Sequence, residues 1–517
     1  MRTLRVVFLL ASPALMGGAR VAAQAVDRAD VPGRGMLRIS FDPQVMTWND
    51  VFLSSGRMKL GAPLTGDTVG GRSIPLVAQM EQNVRLVTGM AGFVASLWQG
   101  VLTVRQERRT YPITAEVGVT DRLSVSLMVP IVRVATRAAL QISSKGTNLG
   151  VNPLVLNVAG ARGTDSLFFA QFDTALARFD QQITAGSYGC GANPSCAARD
   201  SSVYWHNVRQ ALHGSVYGVG QTGSPFLPLD TSAAGRAIDD AVGRIQQGLN
   251  VTFGIGGFDT TVALPADTLT LATFEQVLVQ PDPTGFGYAS LPFQRNFNYR
   301  LGDVELAAKY RLLTGAHYAT AVQAIVRLPT GAVDSASDFL RQWVGDHQLD
   351  LEGRVQQELS VGPLWLNAAL RAGTQRPGTR VRRVAPFEAF LVPAAATVDM
   401  RWDPGDYAGV DVAPMIQFAP TFAAGVTVGY FTQASDHYAY QSAQDSVALA
   451  ARMGAPTAAS ALDQGTSQRR VRLGFAATYH TPTVEGGFSI EQTVSGAGLV
   501  LGATLYRIVL RVSRKLF

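Results

Sequence analysis

The sequence predicts an all-β fold: a transmembrane, antiparallel, up-and-down β-barrel of about twelve strands (10–14), interrupted by a large, partly helical extracellular insert. Three observations lead there. Polar and apolar residues alternate along most of the chain, short connections alternate with long ones, and an export-type leader precedes strands that end on an aromatic carboxyl terminus. Alternation is clearest near residue 350: Gln348, Asp350, Glu352, Arg354, Gln356 and Glu358 share one parity, and Leu349, Leu351, Gly353, Val355 and Leu359 the other. Strand side chains point to opposite faces at every second residue, so one face is ionic and one apolar. A soluble antiparallel sheet would bury the apolar face. Recurrence of the pattern behind an export leader turns that face to lipid instead.

Residues 1–25 read as a signal peptide, with Arg2 and Arg5, an apolar run from Val6 to Met16, and a small-residue cleavage site at Ala23-Gln24-Ala25. The run is broken by Ser12 and Pro13 and falls short of the roughly 20 residues of a spanning helix. Residues 26–96 hold one strand-like stretch, Met36 to Phe41, and a helical one from Leu76 to Val87, with Leu76, Met80, Val84 and Val87 at three-to-four spacing. This periplasmic or lumenal segment plugs the lumen, lies under the barrel, or adds strands.

The barrel itself is expected over 97–517. Twelve strands fall at about 97–107, 111–120, 123–137, 298–312, 318–329, 347–360, 364–374, 407–418, 421–433, 469–481, 484–494 and 499–512. Connections at Thr120-Asp121-Arg122, Thr314-Gly315-Ala316, Val361-Gly362-Pro363, Ala419-Pro420 and Thr481-Pro482-Thr483 are tight; those at 138–297, 330–346, 375–406 and 434–468 are long. Short periplasmic turns opposite long outer loops are an outer-membrane asymmetry. In the third strand the charged positions change parity after Pro130, at Arg133 and Arg137, and a bulge is expected there. The insert, 138–297, is an extracellular subdomain or an inward-folded cap. It contains helices at 165–180, with Leu167, Phe168, Phe172, Leu176 and Phe179 on one side, and at 232–248. That phenylalanine stripe is read as the core of the insert or as a trap for apolar solute.

Inward charges form the candidate site. The early strands supply Glu116, Asp303, Glu305, Lys309, Arg311 and Arg327. The central ones supply Asp350, Glu352, Arg354, Glu358, Arg371 and Asp411. Arg470, Arg472, Glu491, Arg507 and Arg511 come from the last three. Opposed acidic and basic walls select solutes in an open passage; in a narrow barrel they form a rigid ionic lattice. Both readings stand. Cys190 and Cys196, paired in number and close in sequence in an exported chain, are expected to form a disulfide.

The last strand places Tyr506, Ile508, Leu510 and Val512 outward before Phe517, which sits one step out of parity. It resembles the signal read by the barrel-assembly machinery, an expected partner beside outer-membrane lipid and a small-molecule solute. Gly118-Val119-Thr120-Asp121-Arg122-Leu123-Ser124-Val125 forms one hairpin; Leu301-Gly302-Asp303, Lys309-Tyr310-Arg311-Leu312 and Leu328-Pro329-Thr330-Gly331 belong to a second. Together these resemble the outer-membrane barrel family of the meta-pathway of phenol degradation, mainly over 111–137 and 298–375. The resemblance implies an outer-membrane channel for small molecules, hydrophobic or aromatic ones among them. The long insert departs from the compact family pattern.

Net charge of +6 falls to about +3 without Arg2, Arg5 and Arg20, which argues against nucleic acid as a partner. There is no Gly-x-Ser-x-Gly elbow and no His-Glu-x-x-His pair, so no enzyme, cofactor or metal is expected. The expected function is passive passage of small molecules through a barrel in the cell outer membrane. The alternatives are a sealed structural or surface-interaction barrel and, behind both, a barrel enzyme such as a lipase.

Overall fold

The computed structural model describes residues 28–191, 196–218, 224–281, 285–289, 296–333, 335–340, 344–345, 347–481 and 483–516. Residues 1–25, read above as a leader, Pro482 and Phe517 lie outside them. Twelve antiparallel strands close on themselves. They are β1 (Met36–Phe41 and Gln44–Trp48), β2 (Trp98–Gly118), β3 (Leu123–Ser143), β4 (Glu305–Thr314, continued upward by Asn296–Leu301), β5 (Tyr318–Arg327) and β6 (Asp350–Val361). The circuit continues through β7 (Leu364–Gln375), β8 (Tyr407–Ala419), β9 (Phe422–Gln433), β10 (Gln468–His480), β11 (Val484–Ala497) and β12 (Thr504–Lys515). Closure runs through β1, which pairs with β12 on one side and β2 on the other.

The expected strand count holds, but two of its members change. Residues 97–107 and 111–120 are one strand of 21 residues, and the twelfth place is taken by β1. The Arg-rich stretch at 105–110 hides the continuity, because it stands above the apolar belt where alternation is not enforced. The expected bulge after Pro130 is absent. β3 stays in register with β2 from Ser124, opposite Gly118, to Ser143, opposite Gln99. Arg133 and Arg137 therefore point outward, on the lipid side of the wall.

Pro112 and Pro130 face each other across that pair. Neither has an N–H to offer a neighbour. The strands flanking them break at the matching height: β1 at Asp42 and Pro43, whose Asp42 N–H reaches Pro112 O (3.2 Å), and β4 at Gly302, whose N–H reaches Pro130 O (2.9 Å).

The outer wall is apolar. Ile113, Leu127, Leu306, Val355, Leu370, Val426, Phe475 and Ile508 are exposed on it, from strands all round the circuit. Tyr506, Leu510 and Val512 of the last strand join them. The inner wall carries Gln106, Asp350, Glu352, Gln356, Asn367, Thr427 and Ser489, all buried. Such an inverted cylinder is stable with hydrocarbon outside, which makes it a transmembrane barrel of the outer-membrane type. Tight turns and both ends of the strand circuit lie on one rim, here the lower, and the long connections on the other, the upper.

Above the upper rim, β2 and β3 extend as a hairpin whose inner face (Leu102, Val104, Leu140) supports a helical cap. The cap comprises α1 (Pro75–Thr88), α2 (Ala161–Thr184), α3 (Ala197–Val216), α4 (Ala233–Gln247) and α5 (Leu271–Val279). α1 begins at Pro75 and ends at Gly89 in the left-handed region (φ 72°), where a side chain would be strained. The phenylalanine stripe is the core of the cap: Phe168, Phe172 and Phe179 are fully buried, and Phe172 stacks on Phe258. Leu167, expected on the same side, is exposed, because its position turns away from the buried 168–172–176–179 face. Cys190 and Cys196 form the disulfide, which ties the chain after α2 to the first turn of α3.

Asp165 in α2 is fully buried; its Oδ1 accepts the Ala263 N–H (2.8 Å), while Oδ2 has no partner among the described residues. Burial pushes its carboxyl up from 3.8 to about 6, against the pull of the Ala263 amide. The folded cap thus holds this proton more tightly than the unfolded chain. Its contribution is most favourable at low pH and worsens by about 2–3 kcal/mol as pH rises from 4 to 8. Asp165→Asn is expected to stabilise the cap by about 2 kcal/mol at pH 8 and by little at pH 4. Melts followed by helical ellipticity at both pH values check this; an equal effect at both would refute it.

Candidate functional site

Alternation brings the inward charges of distant strands to common heights in the lumen, where they sort into three networks. The upper one centres on Arg327 of β5. Its guanidinium reaches Glu305 (2.5 Å), the Tyr407 hydroxyl (2.8 Å), Glu352 (2.9 Å) and Asp350 (3.6 Å). Tyr407 donates to Glu352 (2.5 Å), and Arg354 also pairs with Glu352. The second lies across β7 to β11: Asp411 joins Arg371 (3.6 Å) and Arg472 (3.2 Å), and Arg472 joins Glu491 (3.1 Å). Arg470 lies over the Phe431 ring at 4.3 Å.

The third network lies toward the lower mouth. The chain before β1 turns up into the lumen, and Ala29, fully buried, packs on Ala319 and Ala321 of β5. Arg28 reaches Glu485 (2.8 Å) and Glu358 (3.5 Å), and the Ala29 N–H donates to the same Glu358 (2.8 Å). Asp30 accepts from Arg38 (2.6 Å), which also reaches Glu116 (3.3 Å); Arg511 stands 3.6 Å from Glu485. Residues 28–30 are thus a stopper held by charges from β1, β2, β6, β11 and β12.

Above the stopper lies a cavity of about 300 Å³, lined in part by Arg28, Asp30, Glu116, Glu305, Lys309 and Arg354. Arg507, whose Nε donates to both carboxylate oxygens of Asp42 (2.7 and 2.9 Å) and whose Nη2 donates to Oδ2, and Arg511 complete its charged side. Met128, Ile325, Val509 and Pro112 give it an apolar patch. At about 30 Å³ per water, it has room for roughly ten waters or one small solute. The connection between β5 and β6 folds over the upper mouth. Leu340 O accepts from Gln106 (2.8 Å) and Thr136 (3.0 Å), Val344 O accepts from Arg108 (3.1 Å), and Asp303 holds the root of the loop at the Gly331 N–H (2.8 Å).

Six of the seventeen charges singled out in the sequence line the cavity: Glu116, Glu305, Lys309, Arg354, Arg507 and Arg511. Arg327, Asp350, Glu352, Arg371, Asp411, Arg470, Arg472 and Glu491 stand in the two higher networks, Glu358 holds the stopper, and Asp303 anchors the loop. Arg311 lies at the lower rim and donates to Asp121 O (2.5 Å) of the neighbouring turn. Sequence reasoning missed Arg28, Asp30, Arg38, Asp42, Glu485 and Tyr407. Glu485 was within reach, since it shares the parity of Glu491 on β11.

No family model matches the chain, and no curated protein matches it in sequence. Among solved structures it is similar to an outer membrane channel from Pseudomonas putida F1, at 7% identity and a TM-score of 0.40, covering 95% of this chain and 99% of that one. It is also similar to the toluene transporter TbuX of Ralstonia pickettii (8% identity, TM-score 0.29, covering 94% and 90%). A FadL homologue of Pseudomonas aeruginosa follows (9% identity, TM-score 0.25, covering 93% and 90%). These likenesses are too distant to bear on the solute.

Proposed function

We propose that the barrel is a gated outer-membrane channel that lets small organic acids pass down their gradient, with aromatic acids a natural class. The observation that supports this best is a charged cavity whose lower exit is shut by three residues. Buried charges hold that stopper, and among the described residues its apolar packing is the small alanine cluster with β5. Lys309, Arg354 and Arg511 offer a carboxylate its partners, and Met128, Ile325 and Val509 offer a ring or alkyl body an apolar face. The resemblance to the meta-pathway barrels points to the same aromatic class.

The second reading, a sealed barrel, is favoured by the two upper ion-pair networks. Osmotic swelling of liposomes separates them. With the purified barrel inserted, benzoate is expected to enter several-fold faster than lysine or arabinose, through local enrichment in a charged lumen. No swelling with any solute, in the wild type and with the stopper residues deleted, would leave the sealed barrel standing.

A further inference from the structure

The four arginines on the outer wall of β2 and β3 have no role in the lumen. Arg105 lies directly opposite Arg137, and Arg109 directly opposite Arg133. Like charges facing each other across strands destabilise a sheet. Glu107 stands among them, 2.6 Å from Arg109 and 3.7 Å from Arg133. Arg105 and Arg137 are exposed and have no ion pair among the described residues.

Their height is defined. Arg109 is nine positions above Gly118 at the lower turn, which at about 3.3 Å per residue and a tilt of about 40° puts it roughly 23 Å up, at the top of an apolar band about 25 Å tall. Arg105 and Arg137 stand about 10 Å higher. Below them the wall is Ile113, Leu127 and Ile131, all exposed. Beside them are Tyr299, exposed, with Arg133 over its ring at 5.5 Å, and Tyr506, joined to Arg109 through Val45. The patch thus occupies the headgroup layer, within an aromatic girdle and directly above acyl chains.

We infer that Arg105, Arg109, Arg133 and Arg137 form an external binding site for a phosphate-bearing lipid headgroup of the outer leaflet. Arginine forks donate bidentately to phosphate oxygens, and an anion between the facing pairs converts their repulsion into attraction. The headgroup is fixed by the charges and the acyl chains by the apolar wall below. The inference rests on the orientation in which the short-turn rim is periplasmic, and not on what passes through the lumen.

The test compares unfolding temperatures in phosphatidylcholine nanodiscs with and without bisphosphorylated lipid A. The wild type and Arg122→Ala, at the opposite rim, are expected to gain at least about 3 °C from lipid A. Arg105→Ala with Arg137→Ala, shown to be folded by its heat-modifiable mobility, is expected to gain less than about 1 °C, and the single Arg105→Gln an intermediate amount. Dephosphorylated lipid A should give no gain to any variant. Equal gains in the wild type and the double variant would overturn the site. So would a full gain from inorganic phosphate alone, which would mark an ion site without a lipid.

Discussion

Replacing Arg28 with alanine is expected to convert a barrel that is mostly closed in planar bilayers into one that carries sustained current. Arg28 ties the stopper to Glu358 and Glu485 on β6 and β11, across the mouth from each other. A buried hydrogen bond between charged groups stabilises by about 1.5–3 kcal/mol. Losing about 3 kcal/mol from the closed state raises the open population roughly a hundredfold. The remaining ties, Ala29 to Glu358 and Asp30 to Arg38, predict flicker rather than a permanently open pore. A second variant fixes the interpretation. Ala29→Cys with Ala321→Cys joins the stopper to the wall within one apolar cluster. It should be silent until a reductant is added. Current through the oxidised double cysteine, or silence from Arg28→Ala at all voltages, would rule out the stopper as the gate.

A gate of this construction fits the chemistry of the proposed solute. An organic acid arriving in the cavity meets Arg354, Lys309 and Arg511 near the stopper. A carboxylate there competes with Glu485 for Arg511 and so weakens the network that shuts the exit. In the proposed channel, solute and latch would draw on the same cations, and occupancy would favour opening without a hinge or an energy source.

Much of this was legible in the sequence, for a physical reason. Hydrocarbon enforces alternation wherever a strand crosses the bilayer, so β6, β10 and β12 announced their faces residue by residue. The rule lapses where the wall leaves the bilayer. From Arg105 to Thr110 nothing enforces alternation, and one long strand read as two. The same lapse made Arg133 and Arg137 look like a register error when they are outward arginines at headgroup height. β1 was seen only as Met36 to Phe41, because Asp42 and Pro43 break its pattern where Pro112 withholds a hydrogen bond. The stopper was illegible for another reason. Arg28 meets a glutamate 457 positions away and Ala29 one 329 positions away, and no local pattern encodes such a pairing. Barrel closure alone brings them together.

Arg327→Met is expected to be the most damaging single change in the wall, because of what it leaves behind. The side chain is flanked by Glu305, Glu352 and Asp350, and Glu352 is almost wholly buried. Arg354 remains beside Glu352 and Gln375 beside Asp350 (3.2 Å), but Glu305 loses its one ion-pair partner among the described residues. Removing one member of a buried ionic cluster costs about 3–5 kcal/mol, mostly from the uncompensated charge. Neutralising the cluster together should cost far less. Arg327→Met combined with Glu305→Gln and Glu352→Gln leaves Tyr407 an amide acceptor and is expected to lie within about 1–2 kcal/mol of the wild type. Urea unfolding in lipid vesicles, followed by tryptophan fluorescence, measures both. A triple variant as unstable as the single would show that the guanidinium stabilises the wall by contacts of its own, and the upper network would then be a source of stability rather than a balanced set of charges. Recovery in the triple variant would place its value in the shape and polarity of the lumen, where the upper network borders the same Glu305 and Arg354 that line the cavity.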